Sequence, residues 1–188
     1  MPGRRSRDFA RVRPPLEGRL VRLRAIEEDD IPRTNGPFND PAVLRSLSQV
    51  VFPQSEEGTR AWWERTRQAE GQQAFAIETL AGELIGACDL RDVSGPSRTA
   101  VLGIWIAQAY WGQRFGTDAV RVLCRFGFRH MNLQRIELHV HENNEPGRRA
   151  YERVGFKEEG RLRRAHFMDG RYVDDLIMGL LDDELIEE

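Results

Sequence analysis

Ile104-Trp105-Ile106-Ala107-Gln108-Ala109-Tyr110-Trp111-Gly112-Gln113-Arg114-Phe115-Gly116-Thr117 is the stretch on which the reading of this chain turns. Arg98 to Ile106 reads as a strand, with Val101, Ile104 and Ile106 in it. It feeds a glycine-bearing loop, and the loop opens a helix that runs from Thr117 to His130. The first turn of a helix presents unpaired backbone N–H groups and the positive end of the helix dipole. Glycine lets an anion come close to the backbone because no Cβ intervenes. A strand, a glycine loop and a helix start in that order therefore suit a pyrophosphate. No Gly-Lys-Ser/Thr follows, so this is not a Walker loop. The spacing also excludes the dinucleotide fingerprint.

About thirty residues on lies a second informative stretch, Glu137-Leu138-His139-Val140-His141-Glu142-Asn143-Asn144-Glu145-Pro146-Gly147-Arg148-Arg149-Ala150-Tyr151-Glu152-Arg153-Val154-Gly155-Phe156. Ile136, Leu138 and Val140 alternate with Glu137, His139 and His141, which predicts a strand with one polar face. Asn144 stands where it can cap the next helix, and Tyr151 lies two turns along it. Titratable groups on one strand face, leading into a helix that carries a tyrosine, suit acid–base work. His139-x-His141 has no third ligand placed by sequence, so no metal is expected.

Outward from these stretches the chain reads as one domain. Gly18 to Ala25 alternates as a strand. Glu27 starts a short helix, Asn39-Asp40-Pro41 offers a cap for another, and Ser55-Glu56-Glu57 begins a longer one with Trp62, Trp63 and Thr66. Ala74–Glu78 and Glu83–Leu90 read as strands around a turn at Ala81-Gly82. Phe156 onward and Tyr172–Leu181 form a hairpin turning at Asp169-Gly170. The expected fold class is α/β (α+β): a single domain with a mixed, mostly antiparallel central sheet flanked by helices. Residues 1–17 are expected to be a flexible basic arm, and residues 18–188 the domain. Among 188 residues, 40% are hydrophobic and the net charge is -2, so charge gives no argument for nucleic acid or membrane. Cys88 and Cys124 have no metal spacing and read as buried reduced thiols, which with the lack of an apolar leader points to the cytoplasm. The acid run Glu27-Glu28-Asp29-Asp30 reads either as an acidic site for a cationic acceptor or as a solvated helix start. Trp62, Trp63 and Phe75 read either as an acceptor wall or as core.

The two stretches, in this order and spacing, resemble the GNAT superfamily of N-acetyltransferases. Trp111-Gly112-Gln113-Arg114-Phe115-Gly116 is similar to the family's acetyl-CoA motif, Gln/Arg-x-x-Gly-x-Gly/Ala. Asn144, Gly147, Tyr151, Gly155 and Phe156 match its Asn-x-x-Ser/Ala-x-x-x-Tyr-x-x-x-Gly-Phe motif. The tail Phe156 to Asp174 is similar to the ribosomal-protein (RimJ/RimL-type) and spermidine branches. Trp111 departs from the usual Gln/Arg, and Arg114 replaces the first motif glycine. His139, five before the motif Asn, stands where the ribosomal branch often has Glu.

The resemblance implies direct transfer of an acetyl group from acetyl-CoA, a cosubstrate, to a primary amine. The amine could be a polyamine, a protein N-terminus or a small amino compound. It implies a cofactor site at Ile104, Ile106, Ala107, Trp111, Gly112, Gln113, Arg114, Phe115, Gly116, Thr117, Asn144 and Gly147. A backbone N–H near Ile106 or Ala107 is the candidate donor to the thioester oxygen. Tyr151 is the expected acid for the sulfur, with His139 and then Glu137 as bases. Homodimers are frequent among such enzymes. The alternative is a CoA-binding regulatory module of the same fold.

Overall fold

The computed structural model describes residues 16–47 and 52–187. The arm predicted for residues 1–17 lies outside them up to residue 15. Leu16 and Glu17, however, belong to the fold: Leu16 packs against the core and Glu17 bridges to Arg22.

In chain order the elements are β1 (Val21–Arg24), α1 (Asp30–Phe38), α2 (Pro41–Ser46), α3 (Glu56–Gln68), β2 (Gln73–Thr79), β3 (Leu84–Ser94), β4 (Thr99–Ile106), α4 (Phe115–His130), β5 (Arg135–His141), α5 (Glu145–Glu152), β6 (Lys157–Met168) and β7 (Arg171–Leu181). The strands form a seven-stranded sheet in the order β1-β2-β3-β4-β5-β7-β6. All neighbours are antiparallel except the central pair, β4 and β5. The mixed, mostly antiparallel sheet is thus as expected.

Local sequence accounts for the helix starts. The Asp40 carboxylate accepts from the Ala42 N–H at 2.7 Å, and Ser55 Oγ accepts from the Gly58 N–H at 3.0 Å. Both caps satisfy donors that a helix start leaves orphaned.

The apolar stripe of α4, with Ala119, Val120, Leu123 and Cys124, is buried on Leu90, Leu102, Ile136, Leu138, Leu176 and Met178. The opposite face of the sheet carries α1 and α3, with Phe38 meeting Trp105 edge to face at 5.3 Å. Strand alternation divides β5 between these faces. Ile136, Leu138 and Val140 go to the α4 core. Glu137, His139 and His141 take the other side.

Asp118, in the first turn of α4, ties the two ends of the sheet's chain path together. Its buried carboxylate accepts from the Leu20 N–H at 2.7 Å and the Val21 N–H at 3.1 Å. A Cβ on Gly18 would stand 2.3 Å from that carboxylate, so only glycine lets it in. Removing the acceptor strands two backbone donors, at roughly 1–3 kcal/mol. Asp118→Ala should therefore lose about 2 kcal/mol of stability in urea unfolding at an unchanged m-value. A loss under about 0.5 kcal/mol would mean that water replaces the carboxylate there.

Candidate active site

The site is built around a gap in the middle of the sheet. β4 and β5 pair only over Thr99–Val101 and Arg135–Glu137, and then diverge. Each stays paired with its outer neighbour: β4 with β3 as far as Ile106, and β5 with β7 as far as His141. Register decides which backbone groups face the gap. The Ala107 N–H donates to the Ile85 carbonyl at 2.8 Å. Antiparallel pairs alternate between bonded and unbonded. The Ile104 and Ile106 backbone groups therefore point away from β3, into the wedge. Ala107, expected as an oxyanion donor and cofactor contact, is corrected by this: its N–H belongs to β3, and it is buried outside the cleft. Ile106 keeps an N–H toward the gap, while its carbonyl accepts from Trp111 Nε1 at 2.7 Å. Trp111 thereby straps the loop to the strand end.

The loop then enters α4 through Arg114, at φ 68° and ψ 3°. This is left-handed backbone, unfavourable for a residue with a Cβ by roughly 1–2 kcal/mol. The position calls for the glycine that Arg114 replaces. Gly112 is also left-handed, at φ 73°, with open space where a Cβ would be. No side chain caps the start of α4. Arg114 and the first turn of α4, with Gly116 and Thr117, line a cleft of about 420 Å³. Ile104, Ile106, Trp111, Gly112, Arg114, Gly116, Thr117, Asn144, Gly147 and Tyr151 all line it. Gln113 and Phe115 do not. Gln113 donates to the Ala109 carbonyl at 3.0 Å, and Phe115 turns toward the core against Tyr110. Ser46, Tyr110 and Arg149 also line the cleft, with no motif to announce them.

The far wall is α5. The Asn144 carbonyl oxygen accepts from the Gly147 N–H at 3.0 Å, and its amide donates to the Ser46 carbonyl at 3.2 Å. Asn144 therefore caps α5 and fastens it to the end of α2. Tyr151 follows two turns on, edge to face with Phe156. Burial pushes its phenol up to about 12, so it stays protonated at neutral pH.

On the other side of the sheet, His139 lies just past the last β4–β5 pair. Its Nδ1 is 3.0 Å from Asp175 Oδ2 on β7. Asp175 is buried, which by itself would raise its carboxyl; the imidazoles of His141, His139 and His166 hold it below the ordinary value. Sequence reading missed Asp175 and His166, because strand pairing alone brings them to β5. Glu137 is not brought to the gap. It sits at the closed end of the wedge and pairs with Arg135 at 3.2 Å.

A second cleft, of about 380 Å³, opens on this face, with Ile26, Ile31, Phe38, Trp62, Trp63 and Trp105 in its walls. Ile104 and Trp105 line both clefts, so the two meet at the open end of β4. Trp62 and Trp63 are thus wall residues, whereas Phe75 is core against Phe126. Two members of the acid run, Asp30 and Glu28, are engaged in ion pairs. Asp30 takes a forked bond from Arg24 at 2.7 and 2.9 Å, and Glu28 pairs with Arg60. Burial alone would raise Asp30, but the Arg24 bonds and the Glu27 N–H keep it low. Asp89, in the same cleft, is pushed up by burial and faces Arg91 at 3.3 Å. Burial also pushes the Cys88 and Cys124 thiols up, away from the thiolate a nucleophile needs.

The chain matches the acetyltransferase (GNAT) domain family over residues 20–157. It is 25% identical over 168 residues to spermidine N(1)-acetyltransferase of Escherichia coli, covering 89% of each chain. It is 33% identical over 103 residues to a putative ribosomal N-acetyltransferase of Bacillus subtilis, covering 55% of this chain and 56% of that one. The structure of spermidine N-acetyltransferase from Vibrio cholerae in complex with CoA and spermine superposes with a TM-score of 0.81. That match is 27% identical and covers 87% of this chain and 96% of that one. With its splayed central strands and both motifs in place, this chain belongs to the GNAT family and is an acetyl-CoA-using N-acetyltransferase.

Proposed function

We propose that this enzyme acetylates a primary amine carried on a compact apolar or aromatic body, and that the reaction runs through the gap between β4 and β5. The observation that carries this is the meeting of two unlike clefts at Ile104 and Trp105. One has a helix start and a free-standing arginine, suited to the phosphates of the acyl donor. The other is walled by tryptophans and isoleucines, suited to an apolar acceptor.

The donor contributes the thioester, whose carbonyl carbon the amine attacks. The residues divide the remaining work by face. His139, held by Asp175, accepts the proton that the attacking nitrogen sheds. The Ile106 N–H donates to the carbonyl oxygen as its charge grows. Tyr151, on the α4 face, gives its proton to the departing sulfur. The new C–N bond replaces the C–S bond, and the two proton transfers balance.

A polyamine acceptor would call for carboxylates whose charge is open to it. The carboxylates nearest this cleft, Asp30 and Asp89, face Arg24 and Arg91. Relatives that acetylate spermidine support the chemistry here, and the cleft's own charge balance supports a different acceptor.

Three outcomes are expected. In an acceptor panel read by thiol release, arylalkyl and branched alkyl amines should exceed spermidine in kcat/KM by at least about tenfold, which is about 1.4 kcal/mol. Spermidine as the best acceptor would sink this reading, and no turnover with any amine would favour the regulatory alternative.

Tyr151→Phe and His139→Ala should each lower kcat roughly a hundredfold or more, with CoA affinity nearly intact. Added imidazole should rescue only the histidine variant. Activity within about threefold of the parent would return either residue to a packing role.

Arg114→Gly should relieve roughly 1–2 kcal/mol of backbone strain and raise the melting temperature. It should also bind CoA more weakly, with a shallower salt dependence, because screening acts on the lost charge pair. Equal CoA affinity at low and high salt would show that the loop works through its backbone alone.

A further inference from the structure

Three strands converge on a buried cluster that the transfer chemistry does not use in full. His141 projects from β5, Asp175 from β7 and His166 from β6, and His141 and Asp175 stand opposite one another in the β5–β7 register. His141 is 1% exposed, and among the described residues neither of its ring nitrogens has a hydrogen-bond partner; nor has Asp175 Oδ1. A buried imidazole with both nitrogens unpaired is costly, and it calls for an explanation. The His141 and His166 rings meet edge to face at 4.6 Å.

We infer that His141, His166 and Asp175 form a binding site for one divalent zinc-type cation. The distances separate this from a hydrogen-bonded cluster. Asp175 Oδ1 lies 3.5 Å from His141 Nδ1, and Asp175 Oδ2 lies 3.4 Å from His166 Nε2. Good N–H···O bonds fall at about 2.7–3.2 Å. Two ligands sharing a tetrahedral ion, with bonds of about 2.0–2.1 Å, stand about 3.3–3.4 Å apart. The carboxylate turns a different oxygen to each ring, each near the length of a polyhedron edge, and a bound ion would draw one of these oxygens and the two nitrogens inward from their present span; the real hydrogen bond of the group, His139 to Asp175, is 3.0 Å. One candidate donor atom from each of the three residues falls within a common 4.8 Å. Two nitrogens and one carboxylate oxygen suit zinc and its neighbours in the d-block, with the fourth position open to water.

The backbone is built to present these groups. β6 carries an irregularity between Leu162 and His166, where its register against β7 shifts, and Arg164 within it has φ 56°. Such a bulge re-aims the side chain that follows it. Here that side chain is His166, which completes a set that β5 and β7 could not assemble alone. The sequence expectation of no metal rested on the lack of a third ligand near His139 and His141; strand pairing supplies two. His139 keeps its bond to Asp175 in this arrangement, because a carboxylate offers about four lone-pair directions. Bound there, the ion would lock the β6–β7 hairpin to the open end of the wedge.

The test uses untagged full-length protein, stripped with a chelator and titrated with Co²⁺ as a spectroscopic substitute and with Zn²⁺. One equivalent of Co²⁺ per chain with visible bands of a four-coordinate N/O site is expected, displaced by Zn²⁺. Zn²⁺ should raise the melting temperature in a concentration-dependent way that the chelator reverses. His166→Ala removes a ligand from a partly exposed strand position and should weaken Co²⁺ binding at least about a hundredfold. Its metal-free melting temperature should stay close to that of the parent. Asp175→Asn, which keeps the volume, should do the same to binding if it remains folded. The proposal is overturned if the parent shows no Co²⁺ bands and no Zn²⁺-dependent melting shift, or if His166→Ala keeps the bands at full stoichiometry. None of these readouts involves acetyl transfer, so they stand or fall apart from the acceptor assignment.

Discussion

The central strands are committed to their outer neighbours and abandon each other after three residues. Everything functional depends on that divergence. Every backbone N–H and C=O buried in a sheet needs a partner. β4 satisfies one edge with β3, and β5 satisfies one with β7. Past Val101 and Glu137 the inner edges have no strand to meet. The sheet thus turns part of its inner edges away from strand pairing at its own centre, and Trp111 Nε1 takes up one of them, the Ile106 carbonyl.

The gap also puts Tyr151 and His139, the proposed acid and base, on opposite faces. A group inside a closed sheet is reachable from neither side, and one at a splayed seam is reachable from both. Tyr151 approaches from the helix-covered face, where burial keeps its phenol protonated. His139 approaches from the face that carries the aromatic cleft, and Asp175 fixes its ring. In the proposed mechanism proton delivery and proton removal would thereby be separated by the sheet itself. Arg114 shows the same site tolerating local strain. Its left-handed backbone costs some stability at the point where the loop turns into α4 beside the cleft.

What the sequence made legible follows from how local each signal is. The caps at Asp40, Ser55 and Asn144 depend on residues within three positions, and all three form. Tyr151 follows from Asn144 by helical spacing. Ala107 and Glu137 were misplaced because their surroundings depend on register. One residue of shift along β4 decides whether an N–H faces β3 or the gap. One pair along β5 decides whether a carboxylate sits at the closed end or the open one. Asp175 and His166 were invisible for the same reason, being distant in sequence from His139 and joined to it only through the β5–β7–β6 pairing. The acid run at Glu27–Asp30 reads from sequence either as a cation site or as a solvated helix start, because the partners of Asp30 and Glu28, Arg24 and Arg60, lie outside the run.

Charge compensation is what motivates the proposed apolar acceptor over a polyamine. A spermidine-type acceptor carries several cations, and its binding energy comes from carboxylates that lose little by meeting them. A carboxylate already forked to an arginine has its lone pairs and its charge engaged. To bind a second cation it must share or release the first, and releasing Arg24 would leave a guanidinium unpaired beside the site. Asp30 is further fixed by the Glu27 N–H, which couples it to the start of α1. The tryptophan and isoleucine walls have no such prior commitment, and they gain by excluding water from an apolar ligand. The fold and N-acetyl transfer are shared with the spermidine enzymes, while the Arg24 pairs with Asp30 and Glu78 hold α1 against β1 and β2.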